Sequence, residues 1–129
     1  MDKLHLEIVT PQGQIYNDDV SSVVLPGSEG EFGVLPNHAS LISLLKAGII
    51  DIEDKHKKHD VVAINWGYAK IDEGKVVILA DGAVYVSGNS ESELANSLEA
   101  ARNLIESMSS DTNAFAATIS KMENVVRAR

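Results

Sequence analysis

Residues 76–98 read VVILADGAVYVSGNSESELANSL, and the hydrophobic pattern of the chain changes within this stretch. Up to Val86, apolar residues alternate with polar ones or form short β-branched runs broken by glycine, which is typical of strands. From Ser90 onwards, apolar residues recur every three or four positions, and no glycine or proline follows Gly88. The sequence therefore predicts two domains, a strand-rich body over residues 1–87 and a helical tail over residues 88–129.

The body consists of short apolar segments separated by turn residues. Leu4, Leu6 and Ile8 alternate with polar residues, which predicts a half-buried strand. Residues 17–19 (NDD) are predicted as a turn, and residues 41–45 (LISLL) fit either a strand or a short helix. Turns spaced by about 8–12 residues and the lack of helical crossovers predict an antiparallel β-sandwich or flattened barrel of about ten strands.

The tail is predicted to form two antiparallel α-helices joined by a short loop. Ser90 and Glu93 have the spacing of a capping box, which marks the start of the first helix. Apolar residues then form one narrow seam on each helix: Leu94, Leu98, Ala101 and Ile105 on the first, and Phe115, Ile119, Met122 and Val126 on the second. Because isolated short helices are marginal in water, we expect this hairpin to pack against the body or a partner.

Composition excludes several functions. The chain has 129 residues, a net charge of −8 and no cysteine. Its acidic character argues against nucleic acid as a partner, and the lack of cysteine excludes disulfides and thiolate metal sites. Its apolar runs are too short to cross a bilayer, and its first residues lack a leader or transit pattern, so we expect no membrane insertion and no import.

Two histidines are the best candidates for chemistry. His56 and His59 lie close in sequence to Asp54 and Asp60, which makes a small metal-dependent enzyme one alternative. Three lysines in the same segment disfavour a dication, so we interpret the segment as a solvated hairpin tip. No nucleophile elbow or phosphate-binding glycine loop occurs, so no catalytic residue, metal ligand or cofactor site is predicted.

One segment resembles a known family. Residues 30–41 read GEFGVLPNHASL, which closely resembles the Gly-Glu-x-Gly-[Ile/Val]-Leu-Pro-x-His-Ala-Pro-Leu signature of the epsilon subunit of bacterial F-type ATP synthases. Shorter matches follow the first strand (residues 10–11, TP), occur at the central bend (48–50, GII) and end the body (77–81, VILAD). Asn37 and Ser40 depart mildly from the signature.

The resemblance implies a ten-stranded β-sandwich followed by two helices, which agrees with the pattern analysis. It also implies a non-catalytic rotor subunit of the central stalk that links the gamma subunit to the ring of c subunits for proton-driven ATP synthesis. In many bacteria the C-terminal helices restrain ATP hydrolysis, which implies contacts with the catalytic beta and alpha subunits. The implied location is peripheral, on the cytoplasmic face of the bacterial inner membrane.

The resemblance also assigns roles to individual positions. Contact with the c ring is expected at Ser28, Glu29, Gly30 and Glu31. Contact with gamma is expected at Asn37, His38 and Ala39. The inhibitory action of the tail is expected to depend on its four positive charges, which are Arg102, Lys121, Arg127 and Arg129.

The resemblance does not extend to nucleotide binding. Members that bind ATP carry an Ile/Leu-Asp-x-x-Arg-Ala motif at the start of the first helix, whereas residues 89–94 read NSESEL here. Both the aspartate and the arginine are missing, and a glutamate near the arginine position would repel phosphate, so no cofactor is expected. The alternative function is a free-standing adaptor that binds proteins through its sandwich and helical arm.

Overall fold

The computed structural model describes residues 3–37, 39–87, 90–106 and 118–124. Nine strands are followed by a long helix within these residues. Their bounds are β1 Leu4–Thr10, β2 Gly13–Gly27, β3 Gly30–Val34, β4 Leu41–Leu45, β5 Gly48–Asp54, β6 His59–Ile64, β7 Gly67–Asp72, β8 Lys75–Ala80, β9 Ala83–Val86 and α1 Glu91–Glu106. A second helical segment covers residues 118–124. A β-sandwich followed by two helices is confirmed.

The strands form two layers joined by one long strand. In the first layer β1, β8, β7 and β4 are neighbours, and in the second β5, β6 and β9 follow the end of β2. The first half of β2 pairs with β1, and its second half pairs with β5 and β3. β2 therefore runs from one layer into the other, with irregular register between Val20 and Ser22 on its β5 side.

The predicted turn at residues 17–19 is wrong, because these residues continue β2. They lie opposite Glu7, Leu6 and His5 of β1 in an antiparallel ladder. The His5 imidazole holds this polar stretch in the strand: its Nδ1 lies 2.8 Å from Asp19 Oδ1 and its Nε2 lies 2.5 Å from Asn17 Oδ1. Cross-strand hydrogen bonds thus override the local preference of asparagine and aspartate for turns.

The structure contains one parallel strand pair, which was not predicted, and it decides the conformation of residues 41–45. β1 and β8 pair in parallel, with His5 opposite Lys75 and Val9 opposite Leu79. The long path through the second layer and back provides the crossover that a parallel pair requires, so no helix is needed. Residues 41–45, which fit a strand or a helix, form strand β4 and pair with β7.

The sandwich interior is built from the inward side chains of both layers. Fully buried side chains from the first layer include Leu6, Ile71 and Ile78, and those from the second include Ile50 and Ile64. Alternation is clean in β1 and β7, where every second residue is buried. Their close contact gives the body a single continuous core.

The tail packs against the outer side of the second layer, where α1 contacts β6 and β9. Ser90 caps the helix as predicted, since its Oγ accepts a hydrogen bond from the Glu93 backbone N–H at 3.2 Å. Ser97 fastens α1 to the end of β9, because its Oγ donates to the Tyr85 carbonyl and accepts from the Ser87 N–H, each at 3.0 Å. The helix therefore begins beside the strand that precedes it.

Candidate functional site

The loop predicted to meet the c ring is a tight hairpin between β2 and β3. Gly27 pairs with Gly30, so Ser28 and Glu29 alone form the tip. Gly30 has a φ of 132°, which a side chain would strain. The Ser28 N–H donates to the Leu44 carbonyl at 2.9 Å, so the tip is fixed to the end of β4. Ser28, Glu29, Gly30 and Glu31 are all exposed, which places two carboxylates at one edge of the body.

The loop predicted to meet gamma joins β3 to β4. Asn37 and Ala39 are exposed, and Asn37 has a φ of 72°, a left-handed conformation that asparagine tolerates. His38 lies outside the described residues. Ser40 fixes the loop to the first layer, because its hydroxyl donates to Asp72 Oδ1 of β7 at 2.7 Å.

The two predicted contact loops lie at opposite ends of β4. The Asn37–Ala39 loop precedes Leu41, whereas the Ser28 tip is bound to Leu44. Five strand residues separate their ends by roughly 13 Å, at about 3.3 Å per step. The structure therefore does not merge the two predicted contacts into one site. The two loops lie at the two ends of strand β4.

A third surface was not predicted from the sequence. The outward residues of the first layer include four exposed apolar side chains, which we call the open face: Ile42 (71% exposed), Leu44 (54%), Tyr68 (46%) and Leu79 (53%). Leu44 lies opposite Tyr68, and Tyr68 lies opposite Leu79, so three of them form a row across β4, β7 and β8. The sequence did contain a signal for this surface. Tyr68 and Leu79 are large apolar residues whose neighbours along the strand face the core, so their own side chains must point outward.

The open face continues into a shallow apolar groove. Val9, Pro11, Trp66, Tyr68 and Leu79 line most of it, and its volume is about 390 Å³. The Trp66 and Tyr68 rings meet edge to face, with centroids 6.1 Å apart. Exposed aromatic and aliphatic side chains grouped on a rigid sheet are typical of a protein-binding surface.

The opposite outer face is covered by the tail, and we call it the covered face: Ile49, Val61, Ala63 and Val86. These four side chains form one buried cluster with five seam residues, which are Leu98, Ala101, Ile105, Ile119 and Met122. Leu94 packs partly buried against the same cluster. Phe115 and Val126 lie outside the described residues. The described seam residues thus share one buried cluster with the body.

Of the four positive charges predicted to serve inhibition, the structure describes two. Arg102 lines a polar groove together with Glu99, Glu106 and Glu123. Lys121 reaches from the second helical segment to the body, where its ammonium group forms an ion pair with Glu31. Arg127 and Arg129 lie outside the described residues. The structure therefore joins one predicted tail residue to one residue predicted to contact the c ring.

The histidines at the β5–β6 hairpin do not assemble a metal site. His59 Nδ1 lies 2.9 Å from Asp51 Oδ1, and this hydrogen bond raises the pKa of His59 above its ordinary value of 6.5. Asp54 instead accepts backbone N–H groups of Lys58 (3.0 Å) and His56 (2.7 Å), which lower the pKa of its carboxyl. No metal-binding cluster is found among the described residues. The aspartates here shape a turn and a strand pair.

The described start of the first helix is acidic. Ser90 is the cap, and Glu91 and Glu93 occupy the first turn, where their negative charge suits the helix dipole. The same negative charge would oppose a phosphate. Within the described ranges, no helix is long and apolar enough to span a membrane.

Comparison with known proteins gives one consistent result. A family model described as "ATP synthase, Delta/Epsilon chain, beta-sandwich domain" matches residues 3–86. The chain is 99% identical over 129 residues to the ATP synthase epsilon chain of Campylobacter concisus (strain 13826), which covers 100% of both chains. It is 60% identical over 129 residues to the ATP synthase epsilon chain of Campylobacter fetus subsp. fetus (strain 82-40), again with 100% of both chains covered.

Solved structures show the same architecture. A chain of the Euglena gracilis mitochondrial ATP synthase, OSCP/F1/c-ring in rotational state 1, aligns with a TM-score of 0.64 and 27% identity, covering 98% of this chain and 76% of that one. A chain of the Tetrahymena thermophila mitochondrial ATP synthase central stalk/c-ring aligns with a TM-score of 0.54 and 13% identity, covering 81% and 95%. The second likeness concerns the fold alone.

Proposed function

Since this chain belongs to the ATP synthase delta/epsilon chain family, we propose that it is a non-catalytic central-stalk subunit that links the gamma subunit to the c ring. The observation that carries the proposal is the open face. It is an exposed apolar surface on a rigid sheet, with one predicted contact loop at each end of β4. A linking subunit requires two separate contacts held at a fixed distance, and close-packed sheets transmit strain between them.

The gamma subunit is the proposed occupant of the open face. Ser40 binds to Asp72, which lies on the same outer side of β7 as Tyr68, with Lys70 between them. Loop and open face are therefore continuous, and together they provide a wide surface with an apolar centre. Interfaces of stable complexes have such centres, in which aromatic residues contribute most of the affinity.

Copurification with the cognate gamma subunit tests this assignment. Leu79→Asp places a charge in the open face, where Leu79 is half exposed, so folding should be retained. We expect gamma to bind about 30-fold more weakly or worse, as for an interface hot spot. Ala100→Asp is the matched control, because Ala100 is exposed on α1 and the change in charge is the same. Equal binding by both variants would contradict the assignment.

The c ring is the proposed partner of the Ser28–Glu31 hairpin. Two carboxylates on this hairpin, Glu29 at the tip and Glu31 on β3, suit basic and amide-bearing loops, since charge-assisted hydrogen bonds are stronger than neutral ones. Glu29→Gln should weaken binding of the detergent-solubilised c ring and leave gamma binding unchanged. Ser92→Ala, on the exposed side of α1, is the control for both measurements.

The tail is the proposed regulatory element, and the predicted division of the chain between residues 87 and 88 would let it act separately from the body. A fragment of residues 1–87 should fold and copurify with gamma, because the open face and both loops belong to the body. We expect the assembled complex that contains this tail-less fragment to hydrolyse ATP faster than the complex that contains the full-length chain. An unfolded fragment would show that the tail is required for the fold.

Contacts with the catalytic beta and alpha subunits are proposed for the far end of the tail. Replacing both Arg127 and Arg129 with glutamine should raise the ATPase activity of the assembled complex, because positive charges would pair with acidic loops. Unchanged activity would remove this electrostatic explanation. The proposed location of the assembled subunit is peripheral, on the cytoplasmic face of the bacterial inner membrane.

A further inference from the structure

The tail contacts the body at a residue that the proposed function also requires. Glu31 lies on β3, opposite Pro26 of β2 and two positions after the hairpin tip at Glu29. Its carboxylate forms an ion pair with Lys121 of the second helical segment. The Glu31 side chain is 51% exposed and that of Lys121 is 35% exposed, so the pair lies at the surface rather than in the core.

Helix packing determines where Lys121 lies. Ile119 and Met122 flank it in sequence and are buried against the covered face. Because these two side chains anchor the segment, the Lys121 ammonium reaches Glu31 only while the segment is docked. Arg102, the other described cation of the tail, lies in a groove with acidic residues of the tail itself. The ion pair is therefore specific to the docked arrangement.

We propose that the docked tail and the c ring compete for the Glu31 carboxylate. This inference rests on the proposed contact between the Ser28–Glu31 hairpin and the ring. Lys121 neutralises one of the two glutamates and adds a positive charge beside the hairpin, where it would repel a basic loop of the partner. Docking of the second helical segment lowers affinity for the ring, and binding of the ring favours release of the segment.

The coupling is reciprocal, because each ligand of Glu31 changes the affinity of the other by the same factor. Its size is set by the ion pair. A solvent-exposed pair contributes modestly, so the expected change in either equilibrium is about two- to five-fold. Such a factor adjusts the balance between two tail positions and does not enforce one of them.

Two measurements on the full-length chain test the competition. Hydrogen exchange of residues 118–124, corrected for intrinsic exchange rates, reports docking of the second helical segment, and binding of the detergent-solubilised cognate c ring reports engagement of the hairpin. Lys121→Gln should speed exchange and raise affinity for the ring, each about two- to five-fold. Glu31→Gln should speed exchange equally and lower affinity. The opposite signs of the two affinity changes distinguish competition from a pair that only supports the fold.

Two variants complete the comparison. Glu29→Gln should lower affinity for the ring without changing exchange, because Glu29 makes no described contact with the tail. Lys58→Gln removes the same charge as Lys121→Gln from an exposed turn and should change neither measurement. Unchanged or lowered affinity of Lys121→Gln would overturn the competition alone. Absence of ring binding by the unmodified chain would overturn the proposed contact and the competition together.

Discussion

The two outer faces of the sandwich have similar apolar side chains but different surroundings. The covered face carries Ile49, Val61, Ala63 and Val86, all buried under the tail. The open face carries Ile42, Leu44, Tyr68 and Leu79, which are between 46% and 71% exposed. On the first face the chain provides its own partner, an amphipathic helical hairpin. The second retains an apolar surface that no described part of the chain covers.

This difference separates residues that serve stability from residues that serve association. Burial of an apolar side chain contributes about 1.5–3 kcal/mol, and on the covered face that contribution is gained within the chain. On the open face most of it is gained only on binding. Identical substitutions on the two faces should therefore change different measurements.

The largest contrast is expected for one substitution made on each face. Val61→Asp places a carboxylate under the tail in a site with no exposure, which should lower the free energy of unfolding by about 3 kcal/mol or more and displace the tail. Leu79→Asp should lower it by less than about 1 kcal/mol, because the new charge remains hydrated. Urea unfolding followed by circular dichroism measures both. Similar losses would show that the open face is covered in the isolated chain.

A second contrast separates the core from the tail interface. Ile64 in the sandwich core and Ile105 in α1 have no more than 1% exposure. Ile64→Ala should lower the free energy of global unfolding by about 2–5 kcal/mol. Ile105→Ala leaves the core intact, so its main effect should be undocking of the tail, at a cost limited to the free energy of docking.

Hydrogen exchange resolves the two outcomes. For Ile105→Ala, amides of α1 should exchange faster while amides of β7 keep their protection. For Ile64→Ala, protection should fall in both regions together. Equal loss of protection throughout the Ile105→Ala variant would show that tail and body unfold as one unit, and the distinction between the two regions would fail.

Part of the covered face is visible in the sequence pattern. Residues 61–64 (VVAI) are four consecutive buried residues, a run typical of a strand covered on both sides, whereas β7 alternates and has one exposed side. The three- and four-residue spacing predicted the seam of the first helix. The pairing of seam and strand was not predictable, because neither pattern specifies its partner. Which strands the tail covers is decided by packing geometry.

Contacts between residues that are distant in the sequence could not be predicted from local sequence patterns. Residues 17–19 have the composition of a turn, and their pairing with β1, including the hydrogen bonds of His5, explains their extended conformation. Glu31 and Lys121 are 90 positions apart, and each belongs to a separately predicted feature. Their meeting depends on how the second helical segment packs. Resemblance identified the two contact loops, whereas their placement at opposite ends of β4 required the fold.

A smaller effect is expected from the cap of α1, which acts only on the covered side. Ser90→Ala removes the hydroxyl that accepts from the Glu93 N–H, which should cost about 1 kcal/mol of helix stability. Exchange of the first-turn amides should accelerate about five-fold, while gamma binding is unchanged. Ser92→Ala is the control, since Ser92 lies within the helix with its side chain exposed. Weaker gamma binding by Ser90→Ala would connect the tail to the open face.

The smallest effect is expected from pH, and it should be confined to the body. Hydrogen bonds with Asp19 and Asn17 raise the pKa of His5, and the hydrogen bond with Asp51 raises that of His59, both from 6.5. A raised pKa in the folded state means that protonation stabilises the fold. This contribution is complete below about pH 6.5 and is lost as pH rises through the raised pKa values. Stability should therefore decrease slightly between about pH 6 and pH 8.

Single variants assign this slope to each layer of the sandwich. His5→Gln should remove the part that arises beside β1, and His59→Gln should remove the part that arises beside β5. Because all four histidines precede residue 60, exchange of α1 amides, corrected for the intrinsic pH dependence of exchange, should not follow the titration. If exchange of the α1 amides does follow the titration, docking of the tail is coupled to protonation of His59. The coupling would pass through Val61, which lies next to His59 on the covered side of β6, and the two faces would then not be energetically independent.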